Sequence, residues 1–170
     1  MSTPGSTALD PGAARRAADR ERGRPPVSED PEFEAVRTAA AGSAALVSSP
    51  DGAPAFYLVP FEIDGRACGI ARVELSAKVS HVSTFGSGPR DRDAWPDVSF
   101  FEQPSAALLA EATRRHPTLQ VNTARLSYDG TPAKWGWRLE TVSGSTVVFI
   151  TAGGWYARNA GQTVDPNREG

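Results

Sequence analysis

One pattern, written twice, constrains this chain more than any other feature. Tyr57-Leu58-Val59-Pro60-Phe61-Glu62-Ile63-Asp64-Gly65 leads into Gly69-Ile70-Ala71-Arg72-Val73-Glu74. Thr123-Ala124-Arg125-Leu126-Ser127-Tyr128-Asp129-Gly130 leads into Gly136-Trp137-Arg138-Leu139-Glu140 at a nearly constant offset. Each half then reaches a third apolar segment ending in glycine, Val79 to Gly86 and Val147 to Gly153. Alternation of apolar and polar residues reads as strand, and Asp-Gly reads as a tight hairpin turn. The pattern predicts two antiparallel meanders and leaves the chemistry open.

A helix precedes each meander. Asp30 and Pro31 are cap and first-position residues, and Phe33, Val36, Ala40 and Val47 fall broadly on one face. Ser48-Ser49-Pro50-Asp51-Gly52 ends that helix. The second helix runs from about Pro104 to His116, with Leu108, Leu109 and Ala112 as its stripe and Pro117 as its stop. Strands are expected at Ala55 to Ile63, Cys68 to Leu75, Lys78 to Phe85, Leu119 to Tyr128, Lys134 to Val142 and Thr146 to Thr151. Pro60 removes a ladder donor and predicts an edge or bulged strand. The fold class is α+β: two helix–strand–strand–strand units, with an antiparallel sheet and the helices packed on one face.

Residues 1–28 hold Pro and Gly and almost no large apolar side chain, so they read as a disordered tail. Within them Arg15-Arg16-Ala17-Ala18-Asp19-Arg20-Glu21-Arg22-Gly23-Arg24 is net basic. It reads as a solvated segment, or as a transient helix able to touch an acidic partner. Residues 29–156 form one domain with repeats at 30–86 and 103–154 and a linker at 87–102, and 157–170 read as a flexible tail. The whole is 170 residues and 18.0 kDa, suited to one domain or two small lobes.

Composition narrows the function classes. A net charge of −2 argues against a nucleic-acid partner, which calls for a basic surplus. Cys68 is the only cysteine, so no disulfide within the chain and no cysteine cage is possible, and its apolar neighbours predict a buried, inert thiol. There is no secretory leader pattern and no span of about 18 apolar residues. The expected location is cytoplasmic, with no membrane partner.

Helix followed by meander resembles the PepSY-like and cystatin-like modules. The likeness is strongest over Ala106 to Gly154, with Trp135-Gly136-Trp137-Arg138-Leu139-Glu140 as the central strand. The resemblance implies a binding, inhibitory or regulatory role and not a catalyst.

Chemistry-bearing residues are few. His116 ends a helix, where a cation complements the dipole. His81 lies in a strand beside Arg72 and Glu74, with Ser80 and Ser83 nearby, the best available acid–base or nucleophilic grouping. Gly86-Ser87-Gly88 is followed by Pro89 and a charged loop, so a dinucleotide site is not expected. No cofactor, no metal ligand and no catalytic residue is assigned. The aromatic residues are the better lead. Trp135 and Trp137 share a strand face, Trp155 and Tyr156 follow the last strand, and Trp95, Phe100 and Phe101 punctuate the linker. They serve either as core or as a surface for a partner protein, sugar or base. The leading expectation is a protein-binding accessory module of inhibitor, immunity or regulatory type. One alternative is a small-ligand protein with a Trp-lined pocket between helix and sheet. The other is an enzyme using His81 with Glu74 or Arg72.

Overall fold

A computed structural model describes residues 8–162. It is an α+β structure with three α-helices and nine strands among those residues, and the strands pair mostly antiparallel. The chain divides into two compact units, Met1–Leu46 with Ala55–Ser99 and Val47–Pro54 with Phe100–Gly170.

The first unit opens with a helix where a disordered tail was expected. α1 spans Pro11–Glu21. Asp10 caps it, accepting from the Ala13 amide at 2.9 Å, and Pro11 takes the first position. Ala14, Ala17 and Ala18 recur at helical spacing and are buried. Methyl-sized side chains let a helix axis come close to its neighbour, so burial is achieved without large residues. Arg15 Nε donates to the Ala41 carbonyl at 2.9 Å, and Arg22 donates to the carbonyls of Arg37 and Ala39. Arg37 in turn donates to Val27 and Asp30 carbonyls at 2.8 and 2.7 Å.

The helix expected from Pro31 onward is short. A 3-10 turn at Pro31–Phe33 leads into α2, Glu34–Thr38, and then the two-residue β1, Ala40–Ala41, and β2, Ala45–Ser48. The run Ala44-Ala45-Leu46-Val47 thus ends up as strand. β3, Pro54–Ile63, β4, Arg66–Glu74, and β5, Val79–Thr84, form the predicted meander. Ile63 faces Arg66 across a two-residue turn in which Asp64 (φ 52°) and Gly65 (φ 77°) are both left-handed, the geometry of the favoured hairpin. The register shifts between Phe61 and Glu62, one residue past Pro60, and β1 pairs there with β3. Pro60 therefore sits beside a bulge in a strand that has neighbours on both sides. Gly69 is required on β4: a Cβ there would come 2.5 Å from the Ser83 carbonyl oxygen and 2.8 Å from Val36 of α2. The core of this unit gathers Ala14, Ala17 and Ala18 with Val36, Tyr57, Val59, Phe61, Cys68, Val73 and Trp95.

In the second unit α3, Ala106–Arg115, is capped by Ser105 and precedes four strands. These are β6, Arg125–Asp129; β7, Thr131–Glu140; β8, Thr146–Ile150; and β9, Trp155–Asn159. They pair antiparallel in chain order, and Ser48 of β2 adds a parallel bridge to Ser127. The sequence places Trp155 and Tyr156 after the last expected strand and 157–170 in a flexible tail, whereas Trp155–Asn159 is a strand; 163–170 lie outside the described residues, as do 1–7. Ala112, Leu119, Leu139, Val148 and Ile150 form the core beneath α3.

The packing of α1 makes a direct prediction. Ala18→Asp places an unpaired carboxylate at a position with 0% exposure and costs about 3 kcal/mol or more. Urea denaturation followed by far-UV circular dichroism measures it. Removing residues 1–28 lowers the melting temperature by more than about 5 °C; an unchanged melting curve would contradict the docking of α1.

Candidate functional site

The second unit brings most of the predicted aromatic residues together, in two groups set by strand alternation. Trp135, Trp137 and Leu139 of β7 share one face with Trp155 of β9, the face that α3 covers. Phe100 and Phe101 pack on Trp135 with ring centroids 5.9 and 5.7 Å away. Trp137 Nε1 donates to the Phe100 carbonyl at 2.7 Å. Trp155 lies beside the α3 core, and the ring of His116, the C-cap of α3, meets it edge-on at 5.8 Å. Phe100 and Phe101 are 7% and 5% exposed, so the linker aromatics are interior residues and not a recognition surface. Trp95 belongs to the first unit. It is 5% exposed, donates from Nε1 to the Gly86 carbonyl at 3.0 Å, and carries the Arg92 guanidinium over its ring. Trp135, Trp137, Trp155 and Tyr156 keep partial exposure.

The opposite face of the same four strands holds a charged cluster. Asp129 of β6 is 1% exposed. Arg158 of β9 donates to its Oδ1 from both Nε and Nη2, at 3.0 and 2.7 Å. The Tyr156 hydroxyl donates to Oδ2 at 2.7 Å, and Lys134 Nζ stands 3.7 Å from the same oxygen. Tyr156 stacks on Phe149 at 5.4 Å, and Lys134 covers its other side at 4.7 Å. Burial alone raises the carboxyl pKa of Asp129; the hydrogen bonds from Arg158 and Tyr156 outweigh it and hold the group below the usual carboxylate range. Burial, followed by the bond to Asp129, pushes the Tyr156 phenol well above its ordinary value. The cluster is a hydrogen-bonded ion pair that ties β9 to β6 across the sheet. Asp129 reads in the sequence only as a turn residue, and nothing in its spacing announces Arg158 as its partner.

Among the described residues β9 is the outer strand of this unit. Thr151 donates to Gly154 and Ala160 to Ser145, which fixes the ladder so that Tyr156 and Arg158 bond to β8. The amides of Trp155, Ala157 and Asn159 therefore face away from the sheet. Among the described residues β9 pairs with β8 alone. Ala157 is exposed and small, with the partly exposed Trp155 and Tyr156 beside it.

The other sequence candidates are placed as follows. His81 is exposed on β5 and lies opposite Arg72 on β4. Arg72 donates from Nε to Ser80 Oγ at 3.1 Å and stacks on Phe56, so its guanidinium is already engaged. Cys68 is buried and free; its thiol donates to the Phe61 carbonyl at 3.3 Å, and burial pushes its pKa up to about 11. Among the described residues no three His, Cys, Asp or Glu side chains gather where they could hold a metal ion, and no helix is long and apolar enough to cross a membrane. Compared with known protein families, curated proteins and solved structures, the chain matches none.

The Asp129 cluster predicts an acid-labile second unit. Because the folded carboxyl titrates below its unfolded value of about 3.9, its stabilisation is present above that pH and is lost as the pH falls through the folded value. Asp129→Ala strands Arg158 and costs about 3 kcal/mol at pH 7. Urea titrations between pH 7 and 3 should show a shallower acid decline for that variant than for the parent chain. Parallel declines would remove Asp129 as the cause.

Proposed function

We propose that this chain is a non-catalytic protein-binding module of accessory type, an inhibitor, immunity or regulatory partner, that recruits its target by strand addition at β9. The observation that carries this reading is the row of outward amides at Trp155, Ala157 and Asn159 on a strand paired on one side only among the described residues. Such a row supplies main-chain hydrogen bonds to an extended segment, while adjacent side chains give it register. Trp155 stands on one side of the edge and Tyr156 on the other, large surfaces that lose little entropy on binding. The Asp129–Tyr156–Arg158 cluster holds β9 in place before the partner arrives, which lowers the ordering cost of association.

The reading also takes the two units as one helix-and-meander plan used twice, in a protein that works in the cytoplasm. An Asp-Gly corner closes the first hairpin of each, with Gly65 and Gly130 at φ 77° and 79°. The two corners differ in detail: β6–β7 closes tightly around Gly130, with a register shift beyond Tyr128.

Ala157→Pro tests the edge. Proline removes an outward amide and leaves the bonds of Tyr156 and Arg158 to β8 untouched. Affinity purification from the native cell, with the parent chain and the variant at equal loading, should show capture of the partner falling by about tenfold or more, corresponding to about 1.4 kcal/mol. The melting temperature of the variant stays within a few degrees of the parent. Equal capture by both chains would refute strand addition at β9.

A further inference from the structure

The first unit contains a cleft of about 560 Å³ between α1 and β1, lined among the described residues by four arginines and a single acid, Asp19. Its size falls within the range of small-molecule sites. The arginines divide by what they touch. Arg22 spends Nη1 and Nη2 on backbone carbonyls and on Asp19, and its Nε is buried without a hydrogen-bond partner. Arg15 spends only Nε, on Ala41. Arg16 and Arg20 have neither a hydrogen-bond acceptor nor an ion-pair partner among the described residues. They stand one helical turn apart, where like charges repel. A chain with a net charge of −2 thus concentrates uncompensated positive charge in one concave place.

The remaining wall is small: Gly12, Ala40 and Ala41. No aromatic ring lines it, so it offers nothing for a base or sugar to stack on. Planar guanidiniums with spare N–H pairs match tetrahedral oxyanions, which accept two bonds from each fork. We infer that this cleft binds a compact phosphate-bearing small molecule, held chiefly by Arg15, Arg16 and Arg20, at a site separate from the β9 edge and independent of it.

Isothermal titration of the full chain with inorganic tripolyphosphate tests the assignment, with citrate and a short polyglutamate peptide as comparison ligands. Saturable one-site binding of tripolyphosphate is expected, weakened about tenfold or more in Arg16→Ala/Arg20→Ala. Both residues are exposed and without a partner among the described residues, so the double variant keeps the parent melting temperature. Arg16→Gln/Arg20→Gln, which keeps the polar bulk, should lose binding equally. Arg114→Ala/Arg115→Ala, on α3, should bind as the parent does. Absence of saturable binding, equal affinity in the Arg16/Arg20 variants, or equal loss in the α3 variant would overturn the site. Citrate or polyglutamate binding as tightly as tripolyphosphate would overturn its phosphate chemistry.

Discussion

Close approach of a helix through methyl-sized side chains is the constraint on which the first unit depends. Ala14, Ala17 and Ala18 put α1 against the core with no large residue between. That arrangement buries modest apolar area per residue, so polar anchors complete it. The end of α2 and the short β1 present the carbonyls of Arg37, Ala39 and Ala41 toward α1, and part-buried carbonyls need donors. Arg15 and Arg22 supply them from α1, and Arg37 returns the favour to Val27 and Asp30. Helix, turn and strand are cross-linked by guanidiniums, and the cleft between α1 and β1 exists because neither wall can drift.

The second unit solves the same problem with one ion pair. A strand at the margin of a sheet has half its backbone groups unpaired and needs a reason to stay. Phe149 under Tyr156 gives apolar contact, and Asp129 reaches from β6 to bond Tyr156 and Arg158. The carboxylate accepts three hydrogen bonds and has Lys134 3.7 Å away, the kind of pairing that lets a buried charge be tolerated. The other face of β9 rests on α3 through Trp155 and His116. The strand is thereby fixed from both faces while its outward amides have no strand partner among the described residues.

The meanders, their Asp-Gly corners and α3 were legible from the sequence because each carries a local signal: alternation, left-handed turn residues, a cap and a proline stop. α1 was not, because a segment almost without large apolar residues carries the composition of a disordered tail. An alanine stripe at positions 14, 17 and 18 has the right period but little hydrophobicity, and its burial depends on a partner surface far along the chain. The helix expected from Pro31 to Val47 failed after Thr38 for a related reason: Ala40 and Val47 satisfy a helical period on paper, whereas pairing of Ala40 and Ala41 with β3 decides the backbone. Trp155 and Tyr156 stand out in the sequence by their type and by their place after the last expected strand, but not as part of a strand of their own. The interior positions of Trp95, Phe100 and Phe101 follow from loop packing, which has no period. Asp129 escaped because a turn residue and a buried anion look alike until the strand that brings Arg158 is in place.

The arginines show how structural and recognition charge can be told apart within one chain. A guanidinium whose donors are spent on carbonyls, as in Arg37, is a brace: moving it would release backbone groups into the interior at a cost that no ligand recovers. A guanidinium with no partner, held beside a like charge on a rigid helix, raises the energy of the unliganded state slightly and returns that energy when an anion arrives. Arg16 and Arg20 are of the second kind, while Arg15 stands between, anchored by one nitrogen and open at two. The same helix that closes the core with its alanines therefore fixes the backbone from which Arg15, Arg16 and Arg20 project, while the rotamer entropy of Arg16 and Arg20, which have no partner among the described residues, is lost only at binding.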